Sequence, residues 1–314
     1  MTSLIERAAQ RLLDEKQRDA TADRQAAAIL PNAAQTPAPN GHELQPTHPL
    51  HALHPESLLI DEERLRGQGA LVPSEVNSLM AHEYRRAKRP LLQNVKAEIQ
   101  AHGHPNGQNL VLISSALPGE GKSFVSVNLA LSIASEIDQT VLLIDCDVMR
   151  RGAANTIGTE VQAGMLDVVA GERTIEEVLL HTSIPSLSFI PAGASRANAD
   201  ELYASDAMRE LIAEIGTRYS DRIILIDAPP QLATNVPAIL VKMVGQMVFV
   251  VEADKTPQPL VIEALQRLDG CKHVGLLLNK ASRRLPGQTY GYGYGYGYGY
   301  GYGYGYGPAK TSTP

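Results

Sequence analysis

The chain has 314 residues, 44% hydrophobic and 20% charged, with a formal net charge of -6. That supplies the core of one large or two ordinary soluble domains and argues against a nucleic-acid partner gripped by a basic surface. The cysteines, Cys146 and Cys271, sit apart in apolar strand-like runs, which excludes a disulfide scaffold and suggests buried thiols in a reducing compartment.

No apolar run is long enough to span a bilayer and no secretory h-region opens the chain, so a cytoplasmic protein is expected. Residues 1–17 predict a short amphipathic helix. Ser3 and Glu6 fit a capping box, and Leu4, Ile5, Ala8 and Leu12 share a face. A helix this short needs a partner surface, the alternative being a frayed tail. Residues 18–56 predict a disordered linker, because Pro31, Pro37, Pro39, Pro46, Pro49 and Pro55 forbid regular structure. His48, His51 and His54 lie in that proline-broken stretch without a carboxylate or cysteine cluster, and read as solvated side chains rather than metal ligands.

Residues 57–104 predict a helical arm. Within it a helix is expected over 74–100, with a possible kink at Pro90 and a stripe of Val76, Met80, Tyr84, Ala87, Leu91 and Val95. Beside the stripe run Glu83, Arg86 and Arg89, either a solvated charged edge or a docking edge for a neighbouring subunit. Residues 105–282 predict one α/β domain. Strands are expected at Leu110–Ser114, Thr140–Ile144, Leu187–Pro191, Arg222–Ile226, Met247–Val251 and His273–Leu278. Helices are expected near 122–135, 205–219, 233–242 and 257–269. That alternation implies a mostly parallel sheet with helices on both faces and ligands at the carboxyl ends of its strands.

The chemistry gathers at those ends. Ala116-Leu117-Pro118-Gly119-Glu120-Gly121-Lys122-Ser123 follows the first strand and opens a helix beginning at Phe124. Such a turn points backbone N–H groups at phosphate oxygens, while a lysine such as Lys122 reaches the terminal phosphates and a hydroxyl such as that of Ser123 helps hold Mg²⁺. Ala116 replaces the usual first glycine, which is acceptable if that residue does not need a positive φ. A second strand runs into Asp145-Cys146-Asp147, two carboxylates able either to serve Mg²⁺ and an incoming nucleophile or merely to cap a turn. A third runs into Asp227-Ala228-Pro229-Pro230, placing Asp227 like a Walker B aspartate. Residues 283–314 predict a flexible tail. It carries Tyr290, Tyr292, Tyr294, Tyr296, Tyr298, Tyr300, Tyr302, Tyr304 and Tyr306, each separated by one glycine. Its root-mean-square reach is about 25 Å. It reads either as a sticky low-complexity segment or as a row of phosphate acceptors.

Taken together, these motifs resemble the bacterial protein-tyrosine kinases that carry Walker motifs, and most closely the exosortase-associated tyrosine autokinases of exopolysaccharide gene clusters. The resemblance covers roughly 58–306. It implies a P-loop ATPase fold that uses ATP and Mg²⁺, with the phosphates bound by Pro118, Gly119, Glu120, Gly121, Lys122, Ser123 and Phe124. It implies Ser123, Asp145 and Asp227 near the metal, Asp145 as candidate base, Asp147 in support and Asn279 near adenine. Glu83, Arg86 and Arg89 would dock on the next subunit of a ring, so that tails are phosphorylated in trans. Gly152 stands where the family commonly has proline, after Arg150 and Arg151, whose role is left open. The resemblance further implies a separate membrane activator of the chain-length-determinant type that recruits the kinase to the inner face of the plasma membrane, an opposing protein-tyrosine phosphatase, and a role in exopolysaccharide export. Two other readings stay open: a partition or division ATPase, disfavoured because Leu117 replaces their early P-loop lysine, and a nucleotide-locked scaffold.

Overall fold

A computed structural model describes residues 57–105, 107–160 and 162–281. The expected helix at 1–17, the linker at 18–56 and the tail at 283–314 lie outside the described residues. The first described segment is a strap. Leu58 bridges to Thr182, and Asp61 caps α1 (Glu62–Gly67) by accepting from the N–H groups of Glu63 and Arg64. The strap leads to α2 (Leu79–His102), which starts later than the apolar stripe predicts. Ser78 is its N-cap, accepting from Ala81 N–H at 3.2 Å, and Gly103, at φ 79°, closes it. Val76 therefore falls outside the helix and is exposed. The buried face is Ala81, Tyr84, Lys88, Leu91, Val95 and Glu98, so two charged residues lie where an apolar stripe alone was expected. Lys88 is accommodated by an ion pair to Glu136 at 2.7 Å and by the carbonyl of Ser132. Pro90 lies inside the helix.

The domain that follows alternates strand and helix. In chain order come β1 (Leu110–Ser115), α3 (Lys122–Ala134), β2 (Thr140–Asp145), α4 (Gly152–Ile157), α5 (Met165–Val169), α6 (Ile175–Val178), β3 (Leu180–His181), β4 (Leu187–Ile190), α7 (Ala199–Ala204) and α8 (Asp206–Arg218). After them come β5 (Arg222–Asp227), α9 (Val236–Leu240) with a 3₁₀ turn at Val241–Met243, β6 (Gln246–Glu252), α10 (Gln258–Gln266) and β7 (His273–Asn279). The six expected strands are present with ends within a residue or so. The short helices between β2 and β4, and the two-residue β3, carry too little periodicity to be seen in sequence. Cys271 lies in the turn before β7 and is only half-buried, not in a strand as its neighbours suggest, whereas Cys146 is buried just past β2.

Sheet order is β3-β4-β2-β5-β1-β6-β7, parallel throughout except for the antiparallel β3–β4 pair. The continuous apolar strands make two cores, one on each face. Leu112, Leu142, Ile144, Ile224 and Ile226 feed the first, beneath α8 to α10. Val111, Ile113, Val141, Leu143 and Leu225 feed the second, beneath α2 and α3. This alternation is what burial on both faces requires of a parallel sheet. The expected cover is incomplete at one edge: Val274, Leu276 and Leu278 of β7 are exposed.

Candidate active site

β1, β2 and β5 lie side by side, with Ile113 opposite Asp227 and Asp145 opposite Asp227 in the register. Adjacent parallel strands ending together bring the P-loop and both carboxylates to one rim. Gly119 and Gly121 take φ 90° and 92°, left-handed values that a side chain resists, so the loop turns sharply before α3. Ala116 is fully buried and not among the residues of positive φ, which is why alanine serves there.

The loop is braced from three sides. The Glu120 carboxylate accepts from Leu117 N–H at 2.6 Å and from the Thr256 hydroxyl, just before α10. At the end of β7, the Asn279 amide donates to the Glu120 carbonyl at 2.8 Å, and the Lys280 ammonium donates to the Gly119 carbonyl at 2.7 Å. Of the residues in these braces, Glu120 and Asn279 were expected at the site, as phosphate- and adenine-binding residues, whereas Thr256 and Lys280 were not. The side-chain donor of Asn279 is engaged by the P-loop, and its main-chain carbonyl accepts from Ala253 N–H at 2.9 Å.

At the centre, the Lys122 ammonium meets Asp147 Oδ2 at 2.6 Å and Ser123 Oγ at 3.2 Å. Asp147 accepts at its other oxygen from Arg150 N–H at 3.2 Å, and its own N–H donates to Asp145 Oδ1 at 2.9 Å. Asp227 Oδ1 accepts from the Ser126 hydroxyl at 3.0 Å. Ser126 was not expected in the site; its position one turn beyond Ser123 on α3 was the available signal. What remains is one unpartnered buried oxygen on each of two carboxylates, Asp145 Oδ2 and Asp227 Oδ2. Buried acceptors left without donors call for a cation or a proton.

The titration behaviour agrees. Burial, reinforced by Asp227, pushes the Asp145 carboxyl up to about 8, against the opposing Asp147 N–H and Lys122. Burial likewise raises Asp227, outweighing Lys122 and the hydroxyls of Ser123 and Ser126. Burial works against the Lys122 ammonium, but Asp227, Asp147 and Asp145 more than offset it and hold its pKa above the ordinary lysine value.

Mg²⁺ fits this donor set. Among the described residues no group of three or more His, Cys, Asp or Glu side chains is arranged to hold a metal. Magnesium is typically held by one or two carboxylates, a hydroxyl, phosphate oxygens and water. Ser123, Asp145 and Asp227 would supply the protein's share.

Gly152 opens α4 against this centre. A Cβ built there would overlap the Ser123 hydroxyl. Gly152→Ala should therefore displace Ser123 Oγ and weaken Mg-ATP binding about tenfold, the scale of an overpacking strain of 1–3 kcal/mol. A fluorescent-nucleotide titration with and without Mg²⁺ checks it: the loss should be confined to the magnesium-dependent affinity. Arg151, at φ 48°, donates to the Gln162 side chain at 2.8 Å and to the Gly193 carbonyl at 3.0 Å, tying this turn to the loop after β4.

Glu83, Arg86 and Arg89 do not join this centre. They are exposed along α2 and make no ion pair or side-chain hydrogen bond among the described residues. The nine tail tyrosines lie outside the described residues.

A family described as an AAA domain matches residues 109–256. The tyrosine-protein kinase wzc of Salmonella typhimurium is 35% identical over 186 residues, 58% of this chain and 26% of that one. The chain thus spans about a quarter of the length of the curated relatives it matches. Among solved structures, the kinase domain of the Escherichia coli tyrosine kinase ETK superposes with a TM-score of 0.54 at 30% identity, covering 64% of this chain and 78% of that one. The kinase domain of VpsO superposes with a TM-score of 0.52 at 32% identity, covering 63% of this chain and 100% of that one. A chain that matches one such kinase domain from end to end at this identity belongs to the same family, the bacterial tyrosine-protein kinases built on a P-loop.

Proposed function

We propose that this protein is an ATP-dependent protein-tyrosine autokinase that phosphorylates the cluster Tyr290–Tyr306 in trans within a homo-oligomeric ring. The observation that carries the proposal is the pair of buried unpartnered oxygens, Asp145 Oδ2 and Asp227 Oδ2, beside a braced P-loop. Bound magnesium would neutralise charge on the phosphate oxygens of ATP. The N–H groups of Gly119 to Ser123 would cradle those phosphates, and Lys122 would exchange Asp147 for them. Asn279 and Phe124 flank the end of the loop where adenine would lie. Asp145, with a proton affinity near neutral, suits the base that accepts the phenolic proton as the tyrosine oxygen takes the γ-phosphoryl group and ADP departs.

Glu83, Arg86 and Arg89 are the proposed ring contact, because an exposed charged row without partners among the described residues suits pairing across subunits. A separate membrane activator of the chain-length-determinant type would recruit the protein to the inner face of the plasma membrane, and a protein-tyrosine phosphatase would reset it. No described helix is long and apolar enough to cross a membrane. Exopolysaccharide export is the proposed process under control. Incubation of the purified protein with Mg-ATP followed by phosphate mapping tests the activity. Phosphate released only to water, with the tail unmodified, would end the kinase reading. For the ring, Glu83→Arg together with Arg86→Glu and Arg89→Glu should shift the oligomer to monomer in light scattering. It should also cut tail phosphorylation about 100-fold at low protein concentration, as expected when the tethered acceptor's millimolar effective concentration is lost.

A further inference from the structure

β7 is the last strand of the sheet, and it is undefended. It pairs with β6 over all seven residues and has no neighbour on its far side among the described residues. Its outer N–H and C=O groups form a template for another strand. Between His273 and Asn279 it carries no proline and no charged residue, the usual devices that blunt an edge. Its apolar face is open as well. Val274, Leu276 and Leu278 are 45%, 61% and 67% exposed, and they lie in register with Met247, Phe249 and Val251, which are buried in the core of that face.

We infer that this edge is the resting place of the protein's own tail, which adds to the sheet as an antiparallel strand and lays its tyrosines over Val274, Leu276 and Leu278. Tyrosine recurs at every second position from Tyr290 to Tyr306. In a strand, that period puts all nine rings on one face and all the glycines on the other. Tyrosine favours strands, and aromatic cover offsets the packing that glycine lacks. Each ring can lie on aliphatic surface while its hydroxyl stays in water.

The connection suits the pairing. The chain turns at Lys280, which takes φ 56°, and residues 281–289, including Pro286-Gly287, lie between that turn and the repeat. That is longer than a tight hairpin turn but short of the roughly 12–15 residues beyond which a connecting loop is uncommon. Residues 290–306 are longer than β7, and a slip of two residues leaves every ring on the same face, so many registers are equivalent. The helix expected at residues 1–17 could cover the apolar face but would leave the edge groups of β7 unpaired. A strand answers both needs.

Pairing itself does not depend on phosphotransfer. Its consequence rests on the kinase reading: a docked tyrosine is withheld as an acceptor, and a phosphate, adding about −1.5 to −2 charges, would drive the segment off the apolar face.

The chain has no tryptophan, and nine of its 12 tyrosines lie in the tail, so tyrosine fluorescence reports on the tail directly. The test uses full-length, dephosphorylated, nucleotide-free protein, so it is separate from any failure of the kinase reading. Hydrogen exchange over residues 273–279 is compared with that of a full-length variant whose nine tail tyrosines are serine. The expected result is exchange at the outer edge of β7 about tenfold slower in the wild type. The exposed pair Leu276→Asp and Leu278→Asp should make the wild-type tail about twofold more accessible to acrylamide quenching. Equal exchange in the two proteins overturns the proposal. So does protection lost on dilution together with dimer, which assigns the edge to a second copy. Protection kept in the serine tail but lost in Leu4→Ser/Leu12→Ser overturns it too, in favour of residues 1–17.

Discussion

Lys122→Ala should lower phosphotyrosine formation on the tail by about 10³-fold, the scale of removing one preorganised charged donor from a phosphoryl-transfer site. The effect is large because Lys122 serves two buried systems. It lies 2.6 Å from Asp147 Oδ2 in an environment that also contains Asp145 and Asp227. With phosphates bound, it would turn to charge that grows on the transferring oxygens. Its loss removes that stabilisation and leaves three buried carboxyl groups without their cation. Breaking a buried pair from one side costs about 3 kcal/mol, so the variant should also melt at a lower temperature without nucleotide. Lys122→Arg should not rescue it, since a planar guanidinium fork does not reproduce the single ammonium that meets both Ser123 Oγ and Asp147 Oδ2. Transfer of labelled phosphate to the tail at saturating ATP checks the prediction. Activity within tenfold of wild type would show that Lys122 does not contact the transferring group.

Much of this centre was legible in sequence because its parts are local. Strand, glycine turn and Lys122-Ser123 form one contiguous string, and strands ending in Asp145 and Asp227 announce themselves by apolar runs that stop at a carboxylate. Sheet order was not legible. Nothing in the residues says that β5 lies between β1 and β2, yet that order puts Asp227 beside Asp145. Contacts made across long separations were hidden for the same reason, such as Thr256 and Lys280 on the P-loop. The start of α2 was misjudged because the stripe from Val76 to Val95 continues the helical period past Ser78, and the cap rather than the period sets the boundary. Nothing in the stripe marks Lys88 for burial, and only the neighbouring α3 and its following turn reveal the partners that bury it.

Asp145→Asn should separate stability from activity. Burial and Asp227 hold the wild-type carboxyl at about 8, against 3.8 for an ordinary aspartate. Between those values the folded protein keeps a proton that the unfolded chain has released. Stability therefore falls as pH rises through that window. Asparagine has the same shape and no proton to lose, so the fall should shrink, leaving the nucleotide-free variant more stable than wild type at pH 8 by an amount on the order of a few kcal/mol. Tail phosphorylation should move the other way, falling about 10³-fold, because a neutral amide is a weaker metal ligand than a carboxylate and no proton acceptor remains at that position. Wild-type kcat/KM should climb with pH towards 8 as the carboxylate forms in the free enzyme, and Mg-ATP binding at pH 7 should release a proton that calorimetry in buffers of different ionisation enthalpy can count. The asparagine variant should show neither the climb nor that share of the proton release. A variant that keeps both, or that melts below the wild type at pH 8, would place the titrating group elsewhere in the cluster, with Asp227 the next carboxyl to replace.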